Sequence, residues 1–315
     1  MCEIPLIGEV YKVKFISKSH SVICTFSYLS EEEIILNVLN NDHDSWVEKL
    51  EDTDGNKNID HAIEVLASEP NLDFHYAPDL KSIVISKLKI AEYYPRIWRG
   101  VYSQDYFEYI STVCPSSIYG AKYTQSLVAA DSLFKSVEEL FRYYEPSVKN
   151  KEAFGHRNRE LLILICTEIE NSWRYILRAN FQKEPEKDRY TTNDYIKLFD
   201  PLRLGEWTVE LADYPGYPVL CPFQSWNQSL PTKSIPWYDA YNSVKHDREG
   251  EFERATLAHL LDSAAALHII LCAQWGPYSL SHTIFDIVNW PSFEIKDQYI
   301  PPIRGGDWVQ KPYFS

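Results

Sequence analysis

The sequence predicts two unlike parts in tandem: an α+β domain over residues 1–118 and an all-α helical bundle over 119–276, followed by an extended tail at 277–315. Three observations carry this reading. The first part holds short runs rich in Val, Ile, Tyr and Phe, separated by polar turns, which is the pattern of strands. From about residue 120 the apolar residues recur at three- and four-residue spacing, the period of a helix face. After Gly276-Pro277 the chain shows several prolines and many aromatics and neither period.

Residues 5–15 (PLIGEVYKVKF) and 20–28 (HSVICTFSY), joined by a polar SKS turn, read as a hairpin. Residues 31–41 fit a short helix or a third strand, 59–68 fit a helix, and Ser82–Ile90 fits another strand. Pro95 and Gly100 punctuate the end of this part, and Asp105–Val113 is expected as a short helix. In the bundle, 122–144 places Leu127, Ala130, Leu133, Phe134, Val137, Leu140 and Phe141 on one helical face. Residues 157–181 form a second helix around LLILIC, apolar all round and so expected to be deeply buried. A short helix over 191–200 has Thr191 or Thr192 as its N-cap. Residues 203–235, rich in Pro, Gly and aromatics, exceed most connections in a compact domain, which points to function or an interface. Ser234-Ile235-Pro236 starts the next helix, with Pro tolerated in the first turn, and Gly250 is expected to interrupt it. A long amphipathic helix over 251–274 ends before Gly276-Pro277, and the tail is expected to wrap the surface or reach a neighbour.

Composition excludes several functions. With 31 basic and 45 acidic residues the net charge is −14, which opposes broad, non-specific nucleic-acid binding but leaves room for a local basic site. The six cysteines form no C-x-x-C pair, a usage that suits a reducing compartment. The N-terminus lacks a basic-then-apolar signal pattern, and no apolar run reaches the roughly 18 residues of a membrane span. A cytoplasmic protein without a membrane partner is expected. There is no H-E-x-x-H, no Cys/His cluster, no Gly-rich phosphate loop and no G-x-S-x-G, so neither a metal site nor a cofactor is expected. The run Asp52–Asp60 resembles a calcium loop, but neither register supplies the closing bidentate Glu, and a solvated turn fits better. His259 and His268 sit among Ala and Leu and read as satisfied core or interface histidines.

One stretch is chemically unusual, Trp237–Arg248 (WYDAYNSVKHDR). A helix puts Asn242 and His246, four apart, on one face, with Tyr238 one turn earlier and Lys245 adjacent. An imidazole can move protons near neutral pH, and Lys245 and Arg248 could hold phosphate oxygens. The same residues also fit an ion-paired helix end, where basic side chains complement the last carbonyls. On the LLILIC helix, Glu168 continues the face of Leu161 and Leu164 and therefore needs a partner if buried. Arg157, Arg159, Lys245 and Arg248 are its candidate partners, in a structural ion pair or in positioning a catalytic group. Glu170 is the neighbouring carboxylate of interest.

The order RNRELLILICTEIENSW, a long loop, WYDAYNSVKHDR and a helix rich in Ala and Leu resembles the HEPN superfamily over roughly residues 125–275. These are helical bundles of prokaryotic defence and toxin systems, many of them metal-independent ribonucleases, with the signature Arg-Asn-x-x-x-His. Asn242 through His246 matches Asn-x-x-x-His, while Tyr241 stands at the arginine position. The resemblance implies a HEPN-like bundle that works as a homodimer or as a subunit of a protein complex. It implies RNA or a nucleotide as ligand and a 2′-hydroxyl attack on the adjacent phosphate. Carried over, His246 is the acid or base and Asn242 its orienting or phosphate-contacting partner. Lys245, Arg248, Tyr241 and Glu168 are the associated binding residues. Two functions follow: a metal-independent ribonuclease of antiphage defence or a toxin–antitoxin system, and a non-catalytic interaction or nucleotide-binding subunit of a larger defence complex. The departure at Tyr241 favours the second, and the retained Asn242 and His246 favour the first.

Overall fold

A computed structural model describes residues 9–16, 21–28, 33–39, 46–51, 77–99, 101–103, 106–110, 119–182, 189–277, 279–280, 283–300 and 307–314, together with Ile63. The composition is mixed α+β. The chain divides into two compact units, one of residues 1–93, 99–113 and 292–311, the other of 94–98, 114–291 and 312–315. The Asp52–Asp60 run and all but Ile63 of the helix expected at 59–68 lie outside the described residues.

The first unit is built on an antiparallel sheet of β1 (Val10–Ile16), β2 (Ser21–Tyr28), β3 (Glu33–Leu39), β4 (Trp46–Glu51) and β5 (Ala77–Ile85), in the order β4-β3-β2-β1-β5. The expected hairpin is β1–β2, with Val13 opposite Cys24. Residues 33–39 take the strand alternative, as β-branched and aliphatic EIILNVL suits a pleated surface. The strand expected at Ser82–Ile90 starts earlier, at Ala77, and stops at Ile85, where the Ser86 hydroxyl accepts from the Leu88 amide and turns the chain. The short helix expected at Asp105–Val113 is a strand instead: Tyr106–Ile110 (YFEYI) pairs antiparallel with Val101–Ser103, its aromatic and β-branched content outweighing any helical period. In β1, Lys12 is wholly buried and its ammonium donates to the Gln298 carbonyl at 2.5 Å. Burial pushes its pKa down to about 7, against the pull of Asp297.

The second unit contains α1 (Ala121–Leu140), α2 (His156–Asn180), α3 (Thr192–Tyr195), α4 (Pro236–His246), α5 (Arg248–Glu251) and α6 (Leu257–Trp275). Helix α6 is its centre, buried on nearly every side and packed against α2, α4 and α1. By length and composition α6 could cross a membrane, but 83% of its apolar window is covered by the chain itself, so it is a core helix. Helix α2 is not apolar all round. Leu161, Leu162, Ile165, Cys166, Ile169 and Trp173 are buried, whereas Leu164 and Tyr175 are 45% and 51% exposed. Thr191 caps α3 in a reciprocal capping box with Asp194.

Residues 203–235 are neither a free loop nor all surface. Trp207, Phe223 and Trp226 are buried, and Trp226 stacks on Trp173 at 5.1 Å between ring centres. Thr208–Leu211 pairs with Phe285–Asn289, a piece of the expected tail. The length of the segment thus reflects aromatics that fill the core.

The helix break lies at Asp247 rather than Gly250. Asp247 leaves the helical region (φ −131°, ψ 88°), and its carboxylate accepts from the Gly250 amide to start α5. A Cβ at position 250 would meet that carboxylate at 2.6 Å, so glycine permits the cap. The long helix then begins at Leu257 rather than 251, where the Thr256 side chain accepts from the His259 amide.

Candidate functional site at the end of α4

The first turns of α4 are locked into the core. Trp237 is buried and its indole donates to the Pro222 carbonyl at 2.9 Å. The Tyr238 hydroxyl donates to Glu170 Oε1 of α2 at 2.7 Å. Tyr241 is fully buried, and its hydroxyl accepts from Lys245 Nζ at 2.6 Å, with that ammonium 4.8 Å from the ring centre. Burial, reinforced by the negative charge of Glu170, pushes both phenols well above their ordinary pKa, so they remain neutral donors. The thiol of Cys166, beneath them, is pushed up by the same causes in the same order.

The outer side of α4 is pinned by ion pairs. Asp239 pairs with Arg254 at 2.6 Å and Lys233 at 2.8 Å, and Arg254 also donates to the Ser243 hydroxyl. Burial alone would raise the Asp239 pKa, but its bonds to Arg254 and Lys233 outweigh this and hold it below the usual range. At the last turn Arg159 of α2 donates through Nε to the Val244 carbonyl at 3.0 Å. That carbonyl belongs to the turn left without intrahelical partners, and a cation there also complements the helix dipole.

The expected site residues separate into two groups. Lys245, His246 and Arg248 are exposed, His246 on the last residue of α4 and Arg248 just past the break. Asn242 is half-buried, and its side-chain amide donates to the Tyr238 carbonyl of its own helix at 3.1 Å. Among the described residues no hydrogen bond joins Asn242 to His246, and none ties down the His246 imidazole. The ring and hydroxyl of Tyr241 lie within the core rather than on the surface. Glu168 is half-buried and, among the described residues, has no hydrogen bond or ion pair with any of these; Glu170, two positions on, is the carboxylate that reaches α4. The reason is the exposure of Leu164, which puts Glu168 off the buried stripe. Arg159 was legible only as a possible partner of Glu168. Its spacing of seven to Cys166 and eleven to Glu170 puts all three on one face of α2, the face turned to α4.

The arrangement offers an exposed imidazole, His246, at a helix end that also carries Lys245 and Arg248 and that Arg159 of α2 reaches. Such a set can bind an anion and move one proton. No protein-family model matches the chain, and no curated protein or solved structure matches it.

Proposed function

We propose that the chain is a HEPN-like, metal-independent ribonuclease of prokaryotic antiphage defence or a toxin system, acting in the cytoplasm as a homodimer. The observation that supports this reading best is the exposed His246 as the last residue of α4, in the turn at which the Arg159 guanidinium donates to the Val244 carbonyl. In this reading Arg159 supplies, from α2, the positive charge that Tyr241 cannot.

The reaction class follows from these groups. An RNA 2′-oxygen attacks the adjacent phosphorus, its proton is removed, and the 5′-oxygen leaves as it gains a proton. The products are a 2′,3′-cyclic phosphate and a 5′-hydroxyl. His246 gives or takes one of these protons, and its counterpart in a second copy takes the other role. Arg159 and Arg248 stabilise charge on the phosphorane, and the N–H groups of Lys245 not engaged by Tyr241 add to it. Asn242 keeps its amide oxygen for orienting the substrate while its nitrogen is held by Tyr238.

The test is cleavage of total RNA in EDTA by the wild type beside His246→Ala and Arg159→Met. Metal-independent cleavage lost in both variants is expected. A cyclic phosphate at the product 3′ ends checks the route. One observation favours a second reading, the non-catalytic or nucleotide-binding subunit: the arginine position is occupied by Tyr241, which is sealed in the core. That reading expects a stable partner captured equally by wild type and His246→Ala, with no RNA cleavage by either.

A further inference from the structure

A separate feature lies at the opposite end of α4. Pro236 and Trp237, with Cys221, Gln224 and Ser225 of the preceding segment and Asp262 of α6, line an open cleft of about 330 Å³. That volume lies at the lower end of the range for small-molecule sites. Asp262 is the only charged group among the lining residues, and it is mostly buried. Among the described residues it has neither an ion pair nor a hydrogen bond, which sets it apart from Asp239, tied to two cations. A carboxylate taken out of water without a partner is costly, and such groups occur where a ligand completes them.

The surroundings sharpen the chemistry. The titratable groups that feel Asp262 are the Cys221 thiol and the Tyr217 phenol, both held neutral, chiefly by burial and then by its negative charge. Nothing cationic offsets the burial of Asp262, whose pKa is pushed up to about 6. Of the lining residues Pro236, Gln224 and Ser225 are exposed, whereas Trp237 and Pro222 are buried and only border the cleft. With one thiol and one carboxylate the site has too few donors for a closed metal site.

We propose that this cleft binds a small organic cation, an amidinium, guanidinium or ammonium group, with Asp262 as its counter-charge. The group comes either from a free metabolite-sized molecule or from an arginine side chain of a partner. The inference does not depend on RNA cleavage.

The test is isothermal titration of the full chain at pH 7.5 with benzamidine, with its uncharged relative benzamide, and with the peptide acetyl-Gly-Arg-Gly-amide. Saturable binding of benzamidine or the peptide, at least tenfold weaker in Asp262→Asn and absent for benzamide, is expected. Tighter binding of benzamidine points to a free ligand, and tighter binding of the peptide points to a partner's arginine. Gln224→Trp, which fills the rim and leaves Asp262 in place, is expected to abolish binding and covers the case in which Asp262→Asn misfolds. No saturable binding of either cation, or equal affinity in both variants, overturns the proposal.

Discussion

The two halves of the Trp237–Arg248 segment, one rich in aromatics and the other in charge, do opposite things. In the first half Trp237, Tyr238 and Tyr241 are buried, each polar atom is matched to a partner, and Asp239 is held by two cations. In the second half Lys245, His246 and Arg248 stand in solvent, and the imidazole is engaged by no described residue. The difference teaches that the helix itself is secured at its aromatic start and that its charged end is left available for chemistry. A tyrosine at the position where a nuclease arginine is expected belongs to the securing half.

Substitutions can break or sharpen this contrast. Trp237→Ala is expected to have the largest effect, destabilising the fold by about 3–5 kcal/mol, because a buried aromatic is lost together with its bond to Pro222. Chemical denaturation checks it, and a loss below about 1 kcal/mol would remove the distinction between the halves. Asp262→Asn tests an acidic side chain that lines a cleft with Trp237 and has no hydrogen bond or ion pair among the described residues. Its folded pKa, about 6, lies above the ordinary 3.8, so the folded state holds the proton more tightly. The carboxylate therefore weighs against folding progressively as pH rises from about 4 to about 6. The substitution is expected to stabilise by about 1–3 kcal/mol at pH 8 and to change little at pH 4. Tyr238→Phe removes the donor to Glu170 and is expected to cost about 1–2 kcal/mol. His246→Ala is expected to shift stability by less than about 0.5 kcal/mol, the range of an exposed side chain without partners.

Much of this was legible in the residues. The period of 122–144 and the LLILIC run located α1 and α2 within a few residues, and Pro236 marked the first turn of α4. The placement of Asn242, Lys245 and His246 on one short helix followed from their spacing. What was not legible depends on tertiary choice. Whether Glu168 or Glu170 faces α4 turns on a rotation of α2 that leaves Leu164 exposed, and a run of six apolar residues hides that rotation. The break at Asp247 depends on a side-chain cap that accepts from the Gly250 amide, a bond that spacing alone does not reveal. The aromatics of 203–235 read as a loop because their partners, such as Trp173, lie far along the chain.

The central claim is that the exposed end of α4 carries out proton transfer on RNA. Its most direct test is cleavage of total RNA in EDTA by wild type and His246→Ala at matched concentration, with circular dichroism and thermal melting of both. The expected result is cleavage by the wild type, at least a hundredfold loss in the variant, and superimposable melting curves. No cleavage by the wild type, or equal cleavage by a folded His246→Ala, would contradict it.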